Sequence, residues 1–214
     1  IVNYILNELN KNQIDEKNIE IEEYEIDGRI YKNIIVHFKE SARKRLYIPK
    51  YIIWAHYDSY WNLSWADDNA SWVAWLLEIS RVLNNVKSLQ VRDIDLVFYS
   101  TEEPPFFATE NMWSYIQAKS LTEEDNVELV LILEMIGYFS ENKSSQSFPI
   151  SFLKYFYPNE GNFIAIVSNI QNSVKTRAVK SRFKSFLKKN ELLSVESINA
   201  PAFIPWVDFS DHRN

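Results

Sequence analysis

The chain contains no cysteine. Disulfides and thiolate metal ligands are therefore excluded, and any metal centre must be built from His, Asp and Glu. Glycine is scarce, at three of 214 residues, where about 7% is usual. An α/β enzyme normally needs glycine at tight turns and close backbone approaches. No run of about 18 apolar residues occurs, so no membrane-spanning helix is expected. Excess positive charge is also absent: 23 Lys+Arg against 29 Asp+Glu leave a formal net charge of −6. That balance argues against a nucleic-acid partner and suits a site that holds cations. Neither a methionine nor a signal-like segment opens the chain at Ile1, which reads as a processed or trimmed product.

What is present fits a soluble globular protein, with 46% hydrophobic and 24% charged residues. Its length is enough for one domain with a sizeable core. No internal repeat, low-complexity tract or linker interrupts it, so residues 1–214 are expected to form a single domain.

Periodicity divides the chain into elements. Residues 2–11 place Val2, Ile5, Leu6 and Leu9 on one helical face. Ile19–Ile26 alternates apolar and acidic residues as a strand, Asp27-Gly28 is a turn, and Ile30–Phe38 is the hairpin partner. His37 lies in that partner, far along the chain from any acidic pair, and reads as structural. The apolar strand ending at Ala55 is expected in a central position, covered on both faces. A helix over about 69–83 should bury Trp72, Val73, Leu76, Ile79, Val82 and Leu83, with Asp67 or Asp68 as its N-cap. Further strands are expected at Asp93–Tyr99, 127–133, 163–168 and 192–198, with helices at 109–120 and 174–189. Strands alternating with helices predict an α/β sandwich with a largely parallel sheet, made mixed by the opening hairpin.

The acidic residues stand where strands stop. One strand ends at His56, the next at Glu102-Glu103, a third at Glu134, and Asp67-Asp68 opens the helix after the first. In open α/β sheets ligands bind outside the carboxyl ends of the strands. Several carboxylates gathered there repel unless a cation joins them, and imidazole with carboxylate is a ligand set that suits zinc. Two divalent ions about 3.5–4 Å apart, bridged by a carboxylate, would meet the need. Of the pair Glu102-Glu103, one carboxylate can bind metal while the other acts as general base. A solvated acidic turn before Pro104-Pro105 is the alternative.

Five motifs in order, AHYDS, ADDNAS, STEEPPFF, LEMIGYF and VDFSDH, resemble the co-catalytic (di-zinc) aminopeptidases. These belong to the zinc-dependent exopeptidases of clan MH, with the glutaminyl cyclases and the transferrin-receptor ectodomain. The resemblance covers roughly residues 48–214. It implies a three-layer α/β/α sandwich with a mixed, mainly parallel sheet, of the phosphorylase/hydrolase-like kind. It implies that His56 and Glu134 bind one zinc, that Asp68 bridges two, and that Glu103 binds the second. Asp58 then orients the His56 imidazole, and Glu102 is the general base. A cis peptide at Asp68–Asn69 and a non-ligating polar motif at Asp211-His212 are also implied. The activity implied is zinc-dependent hydrolysis of the N-terminal peptide bond of a peptide or aminoacyl substrate, in a secreted or periplasmic compartment.

The chain departs from that pattern in two respects. The family's last zinc ligand is a histidine beyond the SDH motif, and no histidine follows His212. The second zinc is therefore expected to lack a ligand unless His212 is recruited, and two ions belong to the complete family site where this chain can hold one or none. The final strand and helix of the fold are expected to be missing as well. Trp54, Trp65, Trp72 and Trp113 stand where members usually carry Gly, Trp61, Trp75 and Trp206 are read the same way, and Ala108 replaces another common Gly. Trp72 and Trp75 are expected to crowd a helix packed on the sheet, at a cost of about 1–3 kcal/mol each. Alteration of the sequence at motif glycines accounts for this clustering best. A peptidase-like binding module without metals and a single-zinc glutaminyl-cyclase-like enzyme are the alternatives.

Overall fold

The computed structural model describes residues 1–39, 48–60, 66–86, 88, 91–148, 150–190 (188–190 by backbone alone) and 194–201. The chain divides into two compact units, Ile1–Gly137 and the residues from Tyr138 onward.

The first unit opens with helix α1 (Val2–Lys11), which buries Ile5 and Leu9 as its spacing predicts. Strands β1 (Ile19–Ile26) and β2 (Arg29–Phe38) pair antiparallel. Their two-residue turn has Asp27 at φ +50° and Gly28 at φ +76°, the left-handed pair that a tight hairpin turn of this kind requires. Strand β3 (Lys50–His56) lies between β4 (Asp93–Tyr99) and β5 (Val127–Ile132) and is parallel to both. Sheet order is β1-β2-β4-β3-β5, with β2 antiparallel to β4. The sheet is thus mixed, parallel where the site lies and antiparallel at the hairpin edge, as the periodicity predicts.

Helices cover both faces. Ile5 and Leu9 of α1 pack with Trp72, Val73, Leu76 and Leu77 of helix α2 (Ser71–Asn85) against Ile34, Val36, Leu96 and Phe98. On the other face Ile35, Ile52, Trp54, Val97 and Tyr99 form a second cluster, joined by Trp113 of helix α3 (Trp113–Ser120). This is the expected α/β/α layering. The buried stripe of α2 differs from expectation. Val82 and Trp75 are about half exposed, whereas Leu77 is buried. Trp75 and Val82 stand two helical turns apart on the face turned away from the sheet, so Trp75 does not crowd it.

Trp54 and Trp72 are buried as expected, and Trp54 meets Tyr99 edge to face at 5.1 Å. The indole N–H groups of Trp54, Trp72 and Trp113 are buried without a hydrogen-bond partner among the described residues. Trp61, Trp65 and Trp206 lie outside the described residues.

In the second unit β6 (Phe163–Ser168) and β7 (Ser194–Asn199) pair in parallel, with the basic helix α4 (Ser173–Asn190) between them in sequence. Lys180 on α4 bonds Glu196 of β7 at 2.8 Å.

Candidate metal centre

Register places the site. His56, the last residue of β3, is opposite Tyr99, the last of β4, and Trp54 is opposite Ile132 at the end of β5. The three parallel strands therefore stop at one rim, and the residues that follow them, Asp58, Glu102-Glu103 and Glu134, leave from it together. An irregular turn, Ala66–Ala70, brings Asp68 in from the start of α2, with Asp68–Asn69 in the cis form.

His56 is the centre of the cluster and is 1% exposed. Its Nε2 lies 3.2 Å from Asp68 Oδ1, 3.7 Å from Glu134 Oε1 and 3.9 Å from Glu102 Oε2. Its Nδ1 is 3.3 Å from Asp58 Oδ1, off the line of a hydrogen bond. Single ligand atoms of His56, Asp68 and Glu103 lie within 4.8 Å of one another. All the expected site residues up to Glu134 thus converge. Asp211 and His212 fall outside the described residues.

Burial, the largest influence, disfavours charge on His56. The carboxylates of Asp58, Asp68, Glu134 and Glu102 together outweigh it and hold the imidazole well above its usual pKa. Burial, followed by the charge of Asp68, pushes Glu103 up to about 7, with Asp58 and Glu134 adding repulsion. The donor set of the cluster, one buried imidazole with the carboxylates of Asp68, Glu103 and Glu134, fits a divalent cation that takes nitrogen and oxygen ligands.

The two aspartates of the ADDN motif separate. Asp68 faces His56, while Asp67 Oδ1 accepts the Gly137 N–H at 2.7 Å and its carbonyl accepts the Ser71 hydroxyl at 2.8 Å. Neither caps α2, whose N-cap position is Ala70 with no side-chain bond. The expected cap is thus replaced by a clip between the Asp68 turn and the loop that carries Glu134. Gly137 is required there, because a Cβ would meet Ser71 Cβ at 2.7 Å and Asp67 Oδ1 at 2.9 Å.

Asp58 has a second function that spacing did not reveal. Its Oδ2 accepts the Glu102 N–H at 3.1 Å and the Glu103 N–H at 2.9 Å. It therefore fixes the base loop as well as standing beside His56. Sequence reasoning also missed Tyr24, Asn33, Ser100 and Thr101, which bond to one another behind that loop. An acidic alternating strand and a short polar stretch carry no local sign of such a network.

His37 lies elsewhere, opposite Asp95 in the β2–β4 ladder. Its Nδ1 is 2.7 Å from Asp95 Oδ1 and its Nε2 3.0 Å from Glu20 Oε2.

Comparison with known proteins gives the same family as the motifs. The chain matches peptidase family M28 over residues 33–186. It is 43% identical over 197 residues to the uncharacterized protein YfbL of Escherichia coli (strain K12), covering 88% of this chain and 57% of that one. Among solved structures, the LapA aminopeptidase of Legionella pneumophila has a TM-score of 0.61 at 13% identity, over 98% of this chain and 49% of that one. Macrostomum lignano glutaminyl cyclase gives 0.59 at 16%, over 94% and 63%. BSAP, a zinc aminopeptidase from Bacillus subtilis, gives 0.55 at 21%, over 87% and 37%. These likenesses establish a shared fold. The chain spans less than two thirds of each of these relatives.

Proposed function

We propose, from the premise that this chain belongs to peptidase family M28, that it is a zinc aminopeptidase domain hydrolysing the N-terminal peptide bond of its substrate. The observation that carries this reading is the convergence of His56, Asp68, Glu102, Glu103 and Glu134 at one rim of the sheet. His56, Asp68 and Glu134 would hold one zinc, and Asp68 with Glu103 would hold the other. Bound zinc supplies Lewis acidity, which acidifies water and polarises a carbonyl.

The chain's own groups supply the rest. Glu102 is almost fully buried at the rim, and Asp58 holds its amide. Its carboxylate takes the proton of the attacking water and delivers it to the departing amine. Asp58 Oδ1 also stands 3.3 Å from Nδ1 of His56, so a small turn of the imidazole would let it hold Nε2 toward the other carboxylates. Acidic groups around His56 attract the free α-amino group of a substrate, which favours cleavage from the amino end. Among the described residues no helix is long and apolar enough to cross a membrane.

The test is zinc content by atomic absorption together with hydrolysis of aminoacyl-anilides. Bound zinc and turnover lost on chelation support the reading, two ions per chain being the complement of the complete family site. Glu102→Gln should then lower kcat by about 10²–10⁴-fold while zinc content stays the same. Absence of both zinc and turnover rejects it in favour of a binding module, and cyclisation of N-terminal glutamine would favour a cyclase.

A further inference from the structure

Three hydroxyl groups and one amide meet behind the Glu102–Glu103 loop. Ser100 Oγ donates to Asn33 Oδ1 at 3.2 Å, and the Ser100 N–H reaches the same oxygen at 3.3 Å. Thr101 Oγ1 donates to the Asn111 carbonyl at 3.1 Å. The Tyr24 hydroxyl lies 2.7 Å from Ser100 Oγ and 2.9 Å from Thr101 Oγ1, so the three hydroxyls share one hydrogen-bonded network. Burial, its largest influence, raises the Tyr24 phenol above its ordinary pKa and keeps the proton in place. The ring is held by stacking on Trp113 at 4.7 Å and on Tyr31 at 5.8 Å.

We propose that Tyr24 is a positioning residue for the base loop: from the edge hairpin it pins Ser100 and Thr101, while Asp58 pins the next two amides. Four consecutive residues, Ser100 to Glu103, are in this way each bonded to Tyr24 or Asp58. The hairpin reaches the neighbouring strand exit too, where the Tyr57 hydroxyl donates to the Lys32 carbonyl. Tyr24 precedes the stretch that matches the family, so the hairpin edge contributes to the site from outside it. The catalytic consequence rests on Glu102 acting as general base. Displacement of such a group by about 1 Å can cost about 10²-fold in rate.

Tyr24→Phe removes only the hydroxyl and keeps the stacked ring. Hydrogen exchange read on peptides covering residues 100–103 should speed up about tenfold or more, with exchange in β3 and the rest of β4 unchanged. In turnover, kcat should fall about tenfold with KM held within about twofold. Unchanged exchange at Glu102 and Glu103 in a folded Tyr24→Phe protein overturns the proposal. So does an equal rise across the whole sheet, since that marks a general loss of stability. Ser100→Ala and Thr101→Val carry the same measurement from the other end of the bonds should Tyr24→Phe fail to fold. Exchange is read without substrate or metal. A wild-type chain with no turnover would therefore defeat the aminopeptidase reading and leave the exchange result to decide the role of Tyr24.

Discussion

At the scale of single residues, Ala108 connects sequence and backbone directly. It stands where the resemblance places a glycine, and it adopts φ +60°, a region that costs a residue bearing a Cβ about 1–2 kcal/mol. Ala108→Gly relieves that cost and returns part of it as unfolded-chain entropy. The net expectation is a gain of about 1 kcal/mol, read as a higher urea midpoint at unchanged slope. The tryptophans tell a related story. Three buried indole N–H groups lack partners among the described residues, and an unsatisfied buried donor costs about 1–3 kcal/mol. The burial of Trp54 and Trp72 was legible from the apolar strand and helix patterns around them. The exposure of Trp75 was not, because it depended on which face of α2 met the sheet.

At the scale of elements, two contacts between segments can be tested. Gly137→Ala drives a Cβ into Ser71 and Asp67, so the loop after β5 must separate from the start of α2. A loss of about 1–3 kcal/mol is expected, read by thermal unfolding, with weaker zinc binding by calorimetric titration because Glu134 moves with the loop. The second contact joins β1, β2 and β4 through His37. The hydrogen bond to Asp95 is the main reason its pKa is raised; Glu20 adds to it, while burial and Lys39 oppose it. Asp95 is lowered, since His37 and Lys50 outweigh its burial. A raised histidine stabilises the fold fully below its unfolded pKa of about 6.5, and that contribution is lost as pH rises through the folded value. A lowered aspartate contributes above about 3.9 and loses its contribution in acid. The contact is therefore strongest between about pH 4 and 6.5. The stability difference between wild type and His37→Gln, from urea unfolding, should shrink as pH rises above that window.

At the scale of the whole molecule, the concentration of carboxylates around His56 links the proposed function to stability. A cation bound only by the folded chain stabilises it by mass action, about 2.7 kcal/mol at a hundredfold excess over Kd. Added zinc should raise Tm and a chelator should abolish the rise. A Tm indifferent to zinc would count against the centre. The effect should disappear in His56→Ala, which removes the only histidine of the cluster among the described residues.

The sequence by itself determined the strands, the helices and the fact that a histidine and acidic residues follow successive strand ends. These are local properties: side chains alternate along a strand and recur every 3.6 residues along a helix, so burial leaves a periodic record. Tertiary structure alone decided the partners. It turned Asp68 toward His56 and Asp67 toward Gly137, and it gave Asp58 the amides of Glu102 and Glu103. It also set Tyr24 against Ser100, 76 residues away. Such pairs follow from strand order and register, which no neighbouring residue encodes, because hydrogen bonds across a sheet depend on where distant segments come to lie.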